Sequence, residues 1–292
     1  MVAATVVIST FDRPELLAEA VHSALAQTGV DHEVLVVDDA STTPVRLEPH
    51  PRLRVHRMET NRGVSAARNV GLAEARGRWI TYLDDDDLLL PDHLEVALTA
   101  LADTDLPAPV ASLSGVEVVD RTGRVVETRL PPTLPRGARF HLEPPQPGRS
   151  FALKSTLVVE RTVLQEIGGW DESFRSRVQT ELFLRLNPAC SLLGLPTATY
   201  RRRRHDGPQV SGDPAVRARS MQLLEAKHRD LFAAAGRGRH AELVCHQAVK
   251  LWDGGHRGPA LSTWVRALRL HPLTTGRSSL AAVRSRVGSG RR

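Results

Sequence analysis

The chain has 292 residues, of which 41% are hydrophobic, 25% charged and only 4% aromatic. Such a length suits one large domain, or a medium one with a smaller companion, and such a composition excludes a disordered or fibrous chain. The net charge of +6 is almost wholly arginine, because Lys154, Lys227 and Lys250 are the only lysines.

Thr5 to Ser9 is a short β-branched run ending at a turn and reads as a buried strand. Glu15 to Thr28 carries apolar residues at helical spacing, with Pro14 at a helix-opening position. Glu33 to Val37 is a second buried strand closed by Asp38 and Asp39, and Leu53 to His56 a third. Val64 to Arg76 reads as a helix stopped by Gly77. Trp79 to Leu83 is a fourth strand, followed directly by Asp84, Asp85, Asp86 and Asp87. Alternation of strand and helix over this stretch predicts an α/β fold with a mostly parallel sheet flanked by helices.

Pro91 to Ala102 is expected to be helical, and Val110 to Val119 a strand that pairs with Val125 to Thr128 across a turn. Leu130 to Pro147 is rich in Pro and Arg and reads as a long loop. Ser155 to Val159 is a strand, Arg161 to Ile167 a short helix stopped by Gly168 and Gly169, Glu181 to Leu186 helical, and Leu192 to Tyr200 a last, weak strand. From about Asp213 the pattern becomes helical: Ala215 to Ala235, His240 to Asp253, Pro259 to Leu270 and Gly276 to Val287. The expected division is therefore a domain over 1–212 and a helical C-terminal region, weakly repeat-like, over 213–292.

In open α/β sheets, ligands bind beyond the carboxyl ends of the strands. Here three strand ends deliver Ser9 to Asp12, Asp38-Asp39 and Asp84 to Asp87 to one rim. Four adjacent carboxylates repel one another and raise each other's pKa unless a cation compensates. A hard divalent ion such as Mg²⁺ or Mn²⁺ would do so. The plainer alternative is an acidic loop capping the helix that follows Pro91. Asp12 reads as a turn-forming residue.

The remaining features are less specific. Codon bias is the plain source of so much arginine, yet the charge is uneven: Arg201 to Arg204 form a block, and the last twenty residues hold five arginines and no acid. A basic end of that kind suits an anionic membrane surface. Without interleaved aromatics it does not indicate nucleic acid. Cys190 and Cys245 lack metal-ligand spacing and read as free thiols of a reducing compartment. No apolar run reaches ~18 residues, so no transmembrane helix is expected, and Met1 to Ser9 has no signal-peptide character. These features suggest a cytoplasmic protein, peripheral at most to the inner face of the membrane. No Gly-x-Gly-x-x-Gly follows the first strand, which argues against a dinucleotide-dependent oxidoreductase.

In its order of motifs the chain resembles the family 2 glycosyltransferases of GT-A fold. The resemblance runs through Val6 to Pro14 (VVISTFDRP), Ala24 to Thr28 (ALAQT), Glu33 to Ser41 (EVLVVDDAS), Asn61 to Asn69 (NRGVSAARN), Trp79 to Pro91 (WITYLDDDDLLLP) and Gly168 to Glu172 (GGWDE). It covers residues 3 to about 212. It implies a sugar transferred from a nucleotide-sugar donor, with inversion, to an acceptor glycan, small molecule or peptide, and it leaves homo-oligomerisation open. It also implies roles: Asp39 for the donor's pyrimidine base, with Ser9 and Phe11 lining that pocket; Arg68 on the helix nearest the donor; Asp85 near the ribose. Asp84 and Asp86 match the outer acids of the Asp-x-Asp motif that holds Mn²⁺ or Mg²⁺, Asp86 being the direct ligand. His205, in the Tyr200 to His205 segment, matches a histidine near metal and diphosphate. A uridine or thymidine diphosphate donor is therefore expected.

One departure stands out. Counting back from Arg185, the Glu-Asp pair that supplies the family's base falls on Val178-Gln179. Neither side chain can accept a proton. Glu181 is then the first candidate for the base and Asp171 the second. The competing expectation is a nucleotide-sugar-binding protein without transferase activity.

Overall fold

The computed structural model describes residues 2–144, 146–151, 156–203 and 213–289, with side chains up to 281. The chain divides into two compact units. The first comprises 1–140, 145–173 and 178–207; the second comprises 141–144, 174–177 and 208–292.

In the first unit, the elements in chain order are β1 (Ala4–Thr10), α1 (Pro14–Leu25), β2 (His32–Asp38), β3 (Leu53–Arg57), α2 (Val64–Glu74), β4 (Trp79–Asp84), β5 (Leu88–Leu89) and α3 (His93–Ala102). There follow β6 (Val110–Val119), β7 (Val125–Arg129), β8 (Leu157–Glu160), α4 (Arg161–Glu166), α5 (Val178–Ala189) and β9 (Ser191–Arg203). They build one sheet in the order β3-β2-β1-β4-β8-β6-β9-β5, with β7 paired to β6. The expected α/β fold holds. The parallel arrangement runs through β3, β2, β1 and β4 and recurs between β6 and β9. The pairs β4–β8, β6–β8, β5–β9 and β6–β7 are antiparallel, so the sheet is mixed.

The apolar runs of β1 and β2 have no polar face because both faces of the sheet are covered. Val7, Leu35, Val37 and Tyr82 pack on one side with Ala66, Ala67 and Leu72 of α2. Val6, Ile8, Val34 and Val36 pack on the other with Leu17, Ala20, Val21 and Ala24 of α1 and Leu94 and Ala97 of α3. Each Val, Leu or Ile side chain so buried contributes ~1.5–3 kcal/mol relative to exposure. Helix α2 lies so close to β1 that a Cβ at Gly71 would meet Val7 Cγ1 at 2.3 Å. Any larger residue at 71 would push the helix off the strand.

Two elements differ from expectation. β5 is only two residues long, too short for a periodic signal. β9 is a thirteen-residue strand rather than a weak one. Gly194 and Pro196 read as breakers in sequence, but the β6–β9 register shifts there. Gly194 is also needed, because a Cβ would lie 2.6 Å from the Pro132 backbone.

The second unit contains α6 (Pro214–Lys227), α7 (Arg229–Ala234), α8 (Arg237–Asp253), α9 (Arg257–Leu270) and α10 (Pro272–Ser289). Asp213 caps α6, its carboxylate accepting from Ala215 N and Val216 N. Val244 and Cys245 of α8 pack with Ala267 of α9. Both cysteines are buried free thiols, and burial pushes the Cys190 thiol up to about 12. Among the described residues no helix is long and apolar enough to cross a membrane.

Candidate functional site: an acidic rim at the strand ends

The carboxyl ends of β1, β2 and β4 are in register, with Thr10 opposite Asp38 and Ser9 opposite Asp84. Asp87 N donates to Asp84 O at 3.1 Å, so the four acids close a tight turn. One oxygen each of Asp84, Asp86 and Asp87 lies within 4.8 Å of the others. Only hard oxygen donors meet there, the set that suits Mg²⁺ or Mn²⁺.

The rim is strongly compensated. Arg68 Nη2 donates to Asp84 Oδ1 at 2.6 Å. Arg13 Nη1 reaches both Asp85 Oδ1 and Asp86 Oδ2 at 3.1 Å, and Thr10 Oγ1 donates to Asp85 Oδ2 at 2.8 Å. Asp87 accepts from the Tyr200 hydroxyl at 3.0 Å and from Arg203 N at 3.0 Å. Burial raises the Asp85 carboxyl, and neighbouring Asp86 and Asp84 add to the rise, which Thr10 and Arg13 oppose without cancelling. Tyr200 is raised well above the usual phenol value, first by burial and then by Asp87 and Asp84. It therefore stays a hydrogen-bond donor at neutral pH.

The second strand end is built differently. Asp38 accepts from Ser41 N at 2.8 Å and from Arg57 Nη1 at 2.6 Å. Burial alone would raise its carboxyl; hydrogen bonds from Ser41, Val45 and Arg57 outweigh that and hold it below the ordinary value. Asp39 accepts from Arg62 N at 2.8 Å and Gly63 N at 2.7 Å, one bond to each oxygen. It thereby fixes the loop that opens α2. A second lone pair remains on each oxygen. Asp12, at φ 53°, accepts from the N–H and hydroxyl of Thr42 and ties the loop after β1 to that after β2, the turn role expected of it. Ser9 is half-buried at the end of β1, and Phe11 stands 45% exposed beside it.

Arg68 links the rim to the Gly-Gly-Trp-Asp-Glu segment. Its guanidinium lies over Trp170 at 4.4 Å from the ring centroid. Asn69 donates to Trp170 O and to Glu172 Oε1, each at 2.9 Å, and accepts from Trp170 N at 2.8 Å. Gly169, at φ 66°, cannot be replaced, since a Cβ would sit 2.6 Å from Asn69 Oδ1. Asp171 is half-buried, and its Oδ1 accepts from Ser173 N at 2.8 Å and Ser173 Oγ at 2.6 Å.

Glu181 does not meet the expectation set for it. It is fully buried in α5, and both oxygens face Arg185, at 2.8 and 2.6 Å. Arg185 also donates to Ile167 O and Gly169 O. The pair pins α5 to the turn after α4, and a carboxylate so enclosed is not presented to an acceptor. His205 lies outside the described residues.

The structure brings Asp84, Asp85, Asp86 and Arg68 together at this rim. The sequence named Thr10 and Asp87 only as parts of the rim and gave no role to Arg13, Tyr200 or Arg203. Arg13 carried a faint signal, a cation within the loop that follows β1. Tyr200 and Arg203 sit more than a hundred residues from the acids they bind and gave none. A shallow hollow over α1, lined by Ala18, Glu19, His22, Ser23 and Leu88, has no comparable chemistry.

Residues 5–158 match the model of the family described as glycosyl transferase family 2. The chain belongs to that family. Its fold is of the GT-A type. Among its relatives, the succinoglycan biosynthesis protein ExoO of Rhizobium meliloti is 40% identical over 124 residues, covering 41% of this chain and 35% of that protein. The uncharacterized glycosyltransferase YwdF of Bacillus subtilis is 34% identical over 129 residues, 43% of this chain and 48% of its own. The O-antigen biosynthesis protein RfbC of Myxococcus xanthus is 31% identical over 187 residues, 61% of this chain but 14% of that protein. The chain thus spans less than half the length of these relatives. Among solved structures, residues 1–349 of S. aureus TarS in complex with UDP-GlcNAc superpose with a TM-score of 0.67 at 18% identity, covering 94% of this family 2 chain and 82% of that 1–349 chain. That likeness establishes the fold.

Proposed function

We propose that this glycosyltransferase is metal-dependent and moves a sugar, with inversion, from a uridine or thymidine diphosphate donor to an acceptor glycan, small molecule or peptide. The observation that carries the reading is the clustering of Asp84, Asp86 and Asp87 in the turn that ends β4, within the residues that the family model covers. The likeness to a fold that binds UDP-GlcNAc in TarS supports the donor class.

Asp86, with Asp84 and Asp87 beside it, would hold Mg²⁺ or Mn²⁺, and such an ion would supply charge to offset that developing on the departing nucleoside diphosphate. The other steps belong to the chain. Asp39 takes the N–H of the pyrimidine base on its remaining lone pairs, Ser9 and Phe11 flank the base, and Asp85 faces the ribose. Arg68, clamped between Asp84 and Trp170, fixes the rim's shape. His205 completes the diphosphate end. Since Glu181 is committed to Arg185, Asp171 takes over as the group that deprotonates the acceptor. It follows Trp170, whose ring covers the Arg68 guanidinium that holds Asp84. Catalysis then resides in 1–212, and 213–292 serves docking, assembly or contact with an anionic surface.

A thermal-shift screen of nucleotide sugars with and without Mn²⁺ tests the reading. Stabilisation by UDP or dTDP sugars only with the metal is expected. Tighter binding of GDP than of UDP and dTDP in calorimetry would overturn the donor assignment, and full turnover in excess chelator would overturn the metal.

A further inference from the structure

The second unit contains a cluster of basic side chains that the glycosyl-transfer chemistry does not use. Two short stretches leave the first unit's sequence to join it, 141–144 and 174–177. Each carries a non-glycine residue in the left-handed region, His141 at φ 66° and Arg177 at φ 59°. Such a conformation costs of order 1–3 kcal/mol, and surrounding structure must hold it. Arg239 does part of that holding. Its guanidinium donates to His141 O at 3.0 Å, Leu142 O at 3.1 Å and Glu143 O at 3.1 Å, and to Glu242 Oε2 at 2.7 Å. Arg239 is therefore fully engaged.

Arg177 is not. Its Nη2 donates to Gln247 Oε1 at 2.7 Å, a neutral partner. Its Nε is buried and makes no hydrogen bond, and among the described residues no carboxylate pairs with it. Gln247 is 1% exposed. Because its oxygen must face the guanidinium, its amide nitrogen is fixed too, and that Nε2 is likewise buried with no hydrogen bond. Two adjacent buried donors, one of them cationic, go unanswered.

The surroundings add positive charge. Burial lowers Arg177 to about 10, Arg217 lowers it too, and Glu225 offsets only part; it remains a cation at neutral pH. Glu225 itself is taken by His240 Nε2 at 2.7 Å and by Arg266. His141 is pushed down to about 3 by burial and then by Arg177, Arg239 and His246. His246 is lowered by burial and then by Lys250, Arg177 and Arg217. Both imidazoles are therefore neutral at pH 7.

A buried guanidinium without a counter-charge is costly. Two adjacent unanswered donors amid positive charge call for a compact anion with several acceptor oxygens. Planar arginine forks match phosphate geometry, and such charge-assisted bonds are the stronger kind. We propose that Arg177 and Gln247, with Arg217, His141 and His246 around them, form a binding site for a phosphate-class oxyanion. The ligand is either a soluble phosphate ester or the phosphate of a lipid headgroup.

The test uses the full chain with its donor site saturated by UDP and Mn²⁺. Calorimetry with inorganic phosphate should show saturable binding that Arg177→Met and Gln247→Leu each weaken by roughly 10- to 100-fold, while both variants still bind UDP like the parent. Phosphate should also raise the melting temperature of the parent and not of Arg177→Met. Glycerol 3-phosphate and phosphatidylglycerol vesicles then separate the sources: the one whose binding Arg177→Met removes is the ligand class, and phosphatidylcholine vesicles should bind neither protein. Unchanged phosphate affinity in both variants would overturn the site, as would no phosphate binding by the parent at millimolar concentration.

Discussion

The acidic rim and the basic cluster of the helical unit treat charge in opposite ways. At the rim, four successive aspartates find Arg13, Arg68, Thr10, Tyr200 and the Arg203 backbone as partners. In the basic cluster, Arg177 is left with the oxygen of one glutamine. A site that answers its own charges can be folded before any ligand arrives, and a ligand must then compete with internal partners. A site that leaves a buried cation unanswered gains counter-charge only when something binds. The two regions should therefore respond to mutation with opposite signs in stability.

The largest effect is expected at the rim. Asp86→Ala should lower kcat by ~10³-fold or more, since several kcal/mol of charge stabilisation in the transition state would go. Steady-state assays over a Mn²⁺ titration measure it, and unchanged activity would remove the metal from the mechanism. Next comes Asp171→Asn, which should cost ~10²–10⁴ in kcat with donor affinity nearly unchanged if it is the general base. Full activity in that variant would return the problem to Gln179 and its neighbours, or to an acceptor such as a thiol that needs little deprotonation.

The comparison itself is sharpened by two arginine variants. Arg68→Met strands Asp84 against a nearly buried partner site, and breaking such a pair costs ~3–5 kcal/mol in buried settings; the 18% exposure of the Asp84 side chain puts it at the low end. Arg177→Met removes a buried charge that has no counter-ion among the described residues. In phosphate-free buffer it should leave stability unchanged or raise it. Urea denaturation of both variants decides the matter, and a large loss in Arg177→Met would mean that its charge is already answered.

How much of this was legible beforehand follows from distance along the chain. The strands β1, β2 and β4 announced themselves because burial on both faces makes their apolar runs continuous, and the acids sit directly at their ends. The Gly-Gly pair after α4 was readable as a helix stop, and both glycines do have positive φ. For Glu181 sequence position gives the reach, while the structure gives the partner: Arg185, one turn on, takes both oxygens. β9 was underrated because Gly194 and Pro196 look like breakers when the backbone of Pro132 that demands the glycine is not yet placed. Glu181→Gln should accordingly act on folding. A loss of ~3 kcal/mol, with kcat per folded molecule little changed, is the expected outcome in parallel denaturation and activity measurements.

The last effect concerns pH and a residue that no motif singled out. His93 is fully buried at the start of α3, its Nδ1 at 2.8 Å from Thr199 Oγ1 and its Nε2 at 3.4 Å from Thr81 Oγ1. Burial pushes its pKa down to about 4, against ~6.5 in the unfolded chain. Above the unfolded value neither state carries the proton, and the residue is silent. As pH falls from ~6.5 towards 4, the unfolded chain takes up a proton that the native one refuses. Stability is therefore lost on acidification, by up to ~1.4 kcal/mol per pH unit and roughly 3 kcal/mol in all. Below about 4 both states are protonated and the loss levels off. His141, held down to about 3 in the helical unit, acts with the same sign, so the whole-protein slope has at least two sources. His93→Asn should remove one of them: less stable than the parent at pH 7, it should lose less on going to pH 4.5, and the two denaturation curves should draw together. If the gap instead widens with acid, His93 takes up its proton in the native state, and the two hydroxyls beside it accept from a charged ring rather than hold a neutral one.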